Sequence, residues 1–301
     1  MEEIGEMIGK GFGIWRHNIN LCIPFLLNFF VSMLVIVSFL VVVFLAVMPM
    51  INVNSTSILN SQDVQAVQDL ITQMGVSLGS LGWQRILLVV FLFLGMFVIL
   101  SLVEAFFMAG AIGMARQALE TGRADTGVMW SAGKKHFLNM FLSTLLIGLM
   151  TLFGLVFLLP GILSLPRPVQ AEPVAMGMLI TGFLLFILYA VILSLALAEA
   201  PYALVLEGLS PVQAIRAGIG FFRYNKFDVL ILWLVVAALS IALQIIGSSM
   251  SSGNTTIYPL LSLVTGLVNL LVLVPLSNLW WTRLYMNRKG ILKNDEVKDP
   301  W

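Results

Sequence analysis

The sequence predicts an all-α, polytopic transmembrane helix bundle: six spans, plus three amphipathic helices lying in one interface. Three observations predict it. Hydrophobic residues make up 59% of the chain and charged residues 10%, against about 25% charged in soluble domains, which places the protein in the membrane class. Long apolar runs alternate with polar junctions, and each run is long enough to cross a hydrocarbon layer about 30 Å thick. The basic residues are segregated, since of 16 lysines and arginines Arg85 and Arg167 alone fall in the outer set of junctions. Because such residues collect in cytoplasmic loops, both termini of a multi-pass cell-membrane protein are expected in the cytoplasm.

Ile4, Met7, Ile8, Phe12 and Trp15 recur at helical spacing against Glu2, Glu3, Glu6 and Lys10, which describes the first interfacial helix. Gly5, Gly9 and Gly13 form a small-xxx-small line on it. Each costs about 1 kcal/mol of helix propensity relative to alanine, so this line is the expected packing edge. Residues 21–50 form the first span, too long and too acidic at its flank for a cleaved signal peptide. The polar stretch 51–84 holds one surface helix over 64–74, started by Ser61 or Asp63. The second span covers 86–114, interrupted by Glu104. In the next junction Asp125, Val128, Met129 and Ala132 predict a short second interfacial helix, ended by Lys134, Lys135 and His136, cations suited to a helix C-terminus.

The third span covers 137–163 and closes at Pro160-Gly161. The fourth covers 174–206, where Pro201 removes a backbone donor and is expected to bend or end the helix. Ser210-Pro211 opens the third interfacial helix with a favoured N-cap and a proline at the first helical position. Val212, Ile215, Ile219 and Phe222 line one side of it, and Gln213, Arg216 and Arg223 the others. The fifth span covers 227–247 and the sixth 257–285, before a charged tail at 291–301.

The interfacial helices resemble one another. Gly11-Phe-Gly13-Ile-Trp-Arg16-His-Asn18 matches Gly218-Ile-Gly220-Phe-Phe-Arg223-Tyr-Asn225, and Gly133-Lys134-Lys135-His136-Phe-Leu-Asn139 is a copy with one residue fewer. The second spans align as Val103-Glu104-Ala-Phe-Phe, Ala198-Glu199-Ala-Pro-Tyr and Ser277-Asn278-Leu-Trp-Trp. The expectation is one integral membrane domain over 1–301, made of three helix-pair units at about 1–115, 116–206 and 207–290 around a pseudo-threefold axis. Glu104, Glu199 and Asn278 would then form an incomplete intramembrane ring, a placement that often marks an ion or substrate path. Counted from the outer span ends at 1.5 Å per residue, they lie about 28, 37 and 31 Å down, near the inner edge of the hydrocarbon. There Arg16, Arg223 and Lys134 or Lys135 are expected to pair with the two glutamates and pin the interfacial helices, leaving Asn18 and Asn225 to cap helix ends. These cations and Arg216 also suit anionic lipid headgroups.

Enzyme chemistry finds no residues. His17 and His136 are the two histidines and Cys22 the single cysteine, so no metal-ligand cluster, nucleophile elbow or phosphate loop is present. No cofactor is expected, and a net charge of +1 gives no reason for nucleic acid. Two readings remain. The first is a non-enzymatic membrane component that organises lipid or partner proteins; the alternative is a transporter or channel for a small solute or lipid using Glu104 and Glu199.

From Glu199 to Leu230 the order AEAPYALVLEGLSPVQAIRAG, an aromatic-basic turn and a span resembles the membrane domain attached to some glycerophosphoryl diester phosphodiesterases. It is also similar to stand-alone six-helix membrane proteins of unknown function from prokaryotes, archaea in particular. The resemblance covers about 35 residues closely and implies the six-span layout. These 301 residues contain no soluble phosphodiesterase domain, so the resemblance implies architecture and not that catalysis.

Overall fold

The computed structural model describes residues 2–47, 83–164, 173–249 and 257–292. The helix expected over 64–74 and the tail from 293 lie outside these residues. Every regular element among the described residues is helical. The order is α1 (Ile4–His17), a 3-10 turn (Ile19–Cys22), α2 (Ile23–Val47), α3 (Trp83–Thr121) and α4 (Thr126–Phe153). A 3-10 stretch (Gly154–Leu158) leads to α5 (Leu159–Leu163), followed by α6 (Pro173–Leu197), α7 (Ala200–Glu207), α8 (Pro211–Tyr224) and α9 (Lys226–Ser249). Then come α10 (Ile257–Val268), a π-helical turn (Asn269–Leu273) and α11 (Val274–Arg288). Six stretches, Ile19–Leu45, Leu87–Thr121, Thr126–Leu163, Val174–Glu207, Lys226–Gly247 and Leu261–Arg288, are long and apolar enough to cross a membrane.

Prolines set the two interruptions within the fourth and sixth stretches. A proline ring clashes with the carbonyl four residues before it and leaves that carbonyl without a donor. Four residues before Pro201 is Leu197, where α6 stops before α7 restarts at Ala200. Four residues before Pro275 is Leu271, inside the π turn, and its carbonyl accepts the Cys22 thiol at 2.9 Å instead.

The middle interfacial helix departs from expectation. It starts in the expected stretch, with Asp125 as its N-cap, yet it runs without a break into the third span as the single helix α4. The packing edge of α1 also differs. Gly5, Gly9 and Gly13 meet no atom within 4 Å of a would-be Cβ, whereas Gly11, on another face, is buried against Trp280.

The described contacts divide into two units, one of residues Met1–Asn28 with Glu104–Trp301 and one of Phe29–Val103. In the smaller, Phe39 and Phe93 meet edge to face at 5.0 Å, while Leu34, Phe91 and most other large apolar side chains stay exposed. In the larger, the buried side chains concentrate in 105–119, 200–206 and 276–286 together with Met7, Met129, Ala214 and Phe221. These are the segments where α1, the start of α4 and α8 meet the ends of α3, α7 and α11. No more than 22% of the most apolar window of any span is buried, which suits side chains solvated by hydrocarbon.

Candidate polar site and basic face

Three helices begin in one frame. The N-caps of α1, α4 and α8 are Glu3, Asp125 and Ser210, all with extended backbone, and eight residues beyond each stands a buried glycine, Gly11, Gly133 or Gly218. Asp125 accepts the Gly127 N–H at 3.1 Å, and the Ser210 N–H donates to Gln213 Oε1 at 3.1 Å. These bonds satisfy amide groups that a helix start otherwise leaves open.

Each glycine is a point of close approach. A Cβ on Gly11 would lie 2.6 Å from Trp280 Cδ1, one on Gly133 would lie 3.0 Å from the Phe106 ring and carbonyl, and one on Gly218 would lie 3.0 Å from Ala200 Cβ. Those partners stand one or two residues beyond Asn278, Glu104 and Glu199. The docking is therefore cyclic: α4 on α3, α8 on α7, and α1 on α11. Trp280 Nε1 also donates to the Ile8 carbonyl at 3.1 Å. Each of the three receiving helices is followed by a left-handed glycine, Gly122, Gly208 or Gly290 (φ 75°, 69° and 67°), and these are the positive-φ residues among those described.

Asn18 and Asn225 occupy the C-cap positions of α1 and α8, as expected, with φ near −128° and −123°. Both amides donate to a carbonyl four residues back, Ile14 at 2.9 Å and Phe221 at 3.2 Å. Asn18 also ties α1 to the α3–α4 turn, donating to Gly122 O at 3.0 Å and accepting the Ala124 N–H at 2.9 Å. Asn139 lies inside α4 and ends nothing.

The three aligned polar residues do not share one environment. Glu199 is 1% exposed at the break between α6 and α7, and neither of its carboxylate oxygens has a hydrogen-bond partner among the described residues. Asn278 is 4% exposed, and its Oδ1 is likewise unpartnered. Glu104 is exposed.

The expected ion pairs are not made. Among the described residues neither Glu104 nor Glu199 has a basic partner; the acidic partners of the basic groups lie elsewhere. Glu199 is buried, whereas Arg16, Arg223, Lys134 and Lys135 are exposed. What pins α1 is Glu2, which receives Arg283 Nε and Nη2 at 3.0 and 2.8 Å and lies 3.1 Å from Lys10 Nζ. Burial alone would push the Glu2 carboxyl up, but the hydrogen bonds and charges of Arg283 and Lys10 together hold it below the usual range. Arg288 pairs with Asp228 at 2.6 Å, and Glu207 takes both Lys289 at 3.0 Å and the Tyr285 hydroxyl at 2.6 Å. Arg16, Lys134, Lys135, Arg216 and Arg223 are exposed and form no ion pair among the described residues.

Sequence reasoning missed the ion pair of Glu2 with Arg283, the close packing at Gly11 and the three left-handed glycines. A glycine just past the end of a long apolar helix was the available signal for the last.

Six apolar helices of spanning length define a multi-pass helical membrane protein. Residues 75–282 match the family described as "Domain of unknown function (DUF7847)", and the chain belongs to that family. It is similar to an "Uncharacterized protein" of Archaeoglobus fulgidus, 26% identical over 302 residues that cover 96% of this chain and 97% of the relative. No solved structure matches it.

Proposed function

We propose that the protein is a non-enzymatic membrane component that organises anionic lipid at its basic face, with partner proteins as a further class of occupant. The carrying observation is that Arg16, Lys134, Lys135, Arg216 and Arg223 are all exposed without an acidic partner among the described residues. Large aromatic groups accompany them: Tyr224 is 91% exposed and Phe227 68%. Aromatic rings with basic side chains suit the headgroup layer. Each cation near an anionic surface contributes about 1 kcal/mol. On the positive-inside rule this face is cytoplasmic.

We further read the chain as three helix-pair units. The common N-cap-to-glycine spacing, the cyclic docking and the left-handed glycines support this reading. A transport path using both glutamates receives less support, because Glu199 is buried and Glu104 is exposed.

The test is lipid retention. Purified protein exchanged into mixed nanodiscs of phosphatidylglycerol and phosphatidylcholine is released into detergent, and co-purifying lipid is counted by native mass spectrometry. Wild type should keep phosphatidylglycerol selectively, and a variant with all five basic residues changed to glutamine should lose that selectivity. Equal retention by the two proteins would reject the lipid reading.

A further inference from the structure

We propose that Glu199 and Asn278 form a buried binding site for a monovalent alkali cation, a role independent of the lipid reading above. Three observations converge on it. Glu199 Oε1, Glu199 Oε2 and Asn278 Oδ1 are buried acceptors without a donor among the described residues, and burying a carboxylate without a partner costs several kcal/mol or more. A single monovalent cation would satisfy all three acceptors at once and balance the one carboxylate charge.

The two residues also lie at one level. Helices α7 and α11 pack together and both run toward the basic end, where Glu207 accepts the Tyr285 hydroxyl. Glu199 is eight residues before Glu207 and Asn278 seven before Tyr285, about 12 and 10.5 Å back along the two helices at 1.5 Å per residue.

The third observation is the break itself. Helix α6 ends at Leu197 and α7 begins at Ala200, with Glu199 between them. The C-terminal carbonyls of a helix interrupted within the membrane lack intrahelical donors and carry the negative end of its dipole. Such half-helix ends coordinate small cations. At 1% exposure the carboxylate is closed to a lipid headgroup, so the ligand is a bare ion.

The full-length protein in nanodiscs of zwitterionic lipid is assayed with radioactive sodium and rubidium ions by scintillation proximity. Ionic strength is held with N-methylglucamine chloride. Wild type should bind one of these ions saturably. Glu199→Gln should abolish binding, and Asn278→Leu should weaken it by at least roughly the tenfold that even an outer-shell group contributes. Glu104→Gln should leave it unchanged. If Glu199→Gln does not yield monodisperse protein, Asn278→Asp decides, since a second carboxylate should let calcium displace the labelled ion. Absence of saturable binding in wild type, retention in Glu199→Gln, or no displacement by calcium in Asn278→Asp each overturns the site.

Discussion

Replacing Gly11 with alanine would set a methyl carbon 2.6 Å from Cδ1 and 2.7 Å from Nε1 of Trp280. Carbon atoms rest about 3.5–4.0 Å apart, so the ring or the helix must give way by about 1 Å. The ring has little room, since Trp280 is 2% exposed and its N–H is held by the Ile8 carbonyl. Overpacking of this kind costs about 1–3 kcal/mol, and loss of the hydrogen bond adds about 1 kcal/mol. Alanine returns at most about 1 kcal/mol of helix propensity. The net expectation is a destabilisation of about 1–3 kcal/mol. Gly9 on the same helix meets nothing within 4 Å, so Gly9→Ala keeps only the propensity gain, about 0.5–1 kcal/mol stabilising. Unfolding of the purified protein in detergent, followed by tryptophan fluorescence against added sodium dodecyl sulfate, reads both variants. If the two midpoints move in the same direction, the docking argument fails.

Glu2→Gln removes the anion that Arg283 and Lys10 share and should cost about 1.5–3 kcal/mol at neutral pH. Because the folded-state pKa of Glu2 is depressed, this stability is present above the ordinary glutamate value of about 4.3 and is lost as pH falls through the folded value. The gap between wild type and Glu2→Gln in thermal unfolding should therefore close in acid; a gap that persists there would remove Glu2 from the clasp. Asn18→Ala leaves the Ala124 N–H without its acceptor and frees the Gly122 carbonyl, an expected loss of about 1–3 kcal/mol. Amide exchange at Ala124 should rise with it, and protection equal to wild type would refute that bond's role.

The spans were legible because hydropathy over twenty residues is a strong local signal, and Pro201 gave the α6 end because its clash acts at a fixed offset. The α8 start at Ser210-Pro211 was legible for the same reason: cap chemistry is local. Three features were not. Gly5, Gly9 and Gly13 form a pattern for close packing, but the pattern cannot tell which face a neighbour covers, and the neighbour covers Gly11. Asn139 resembles Asn18 and Asn225 in sequence, yet no local element forces a helix to stop at an asparagine, and α4 passes through it. Glu104 and Glu199 align, but burial is decided by what packs around each, and one is covered while the other is open. The ion pairs went wrong for a related reason, since Glu2 and Arg283 meet across 281 positions.

The docking of α1 on α11 has a consequence for biogenesis. Ile8 and Trp280 are 272 positions apart, so a chain emerging from the ribosome inserts its first five spans while the seat for its first helix does not yet exist. Helix α1 cannot dock until translation is almost complete, and its capture then joins the earliest and latest parts of the chain. A product truncated before Trp280 would leave the Gly11 side of α1 without its seat.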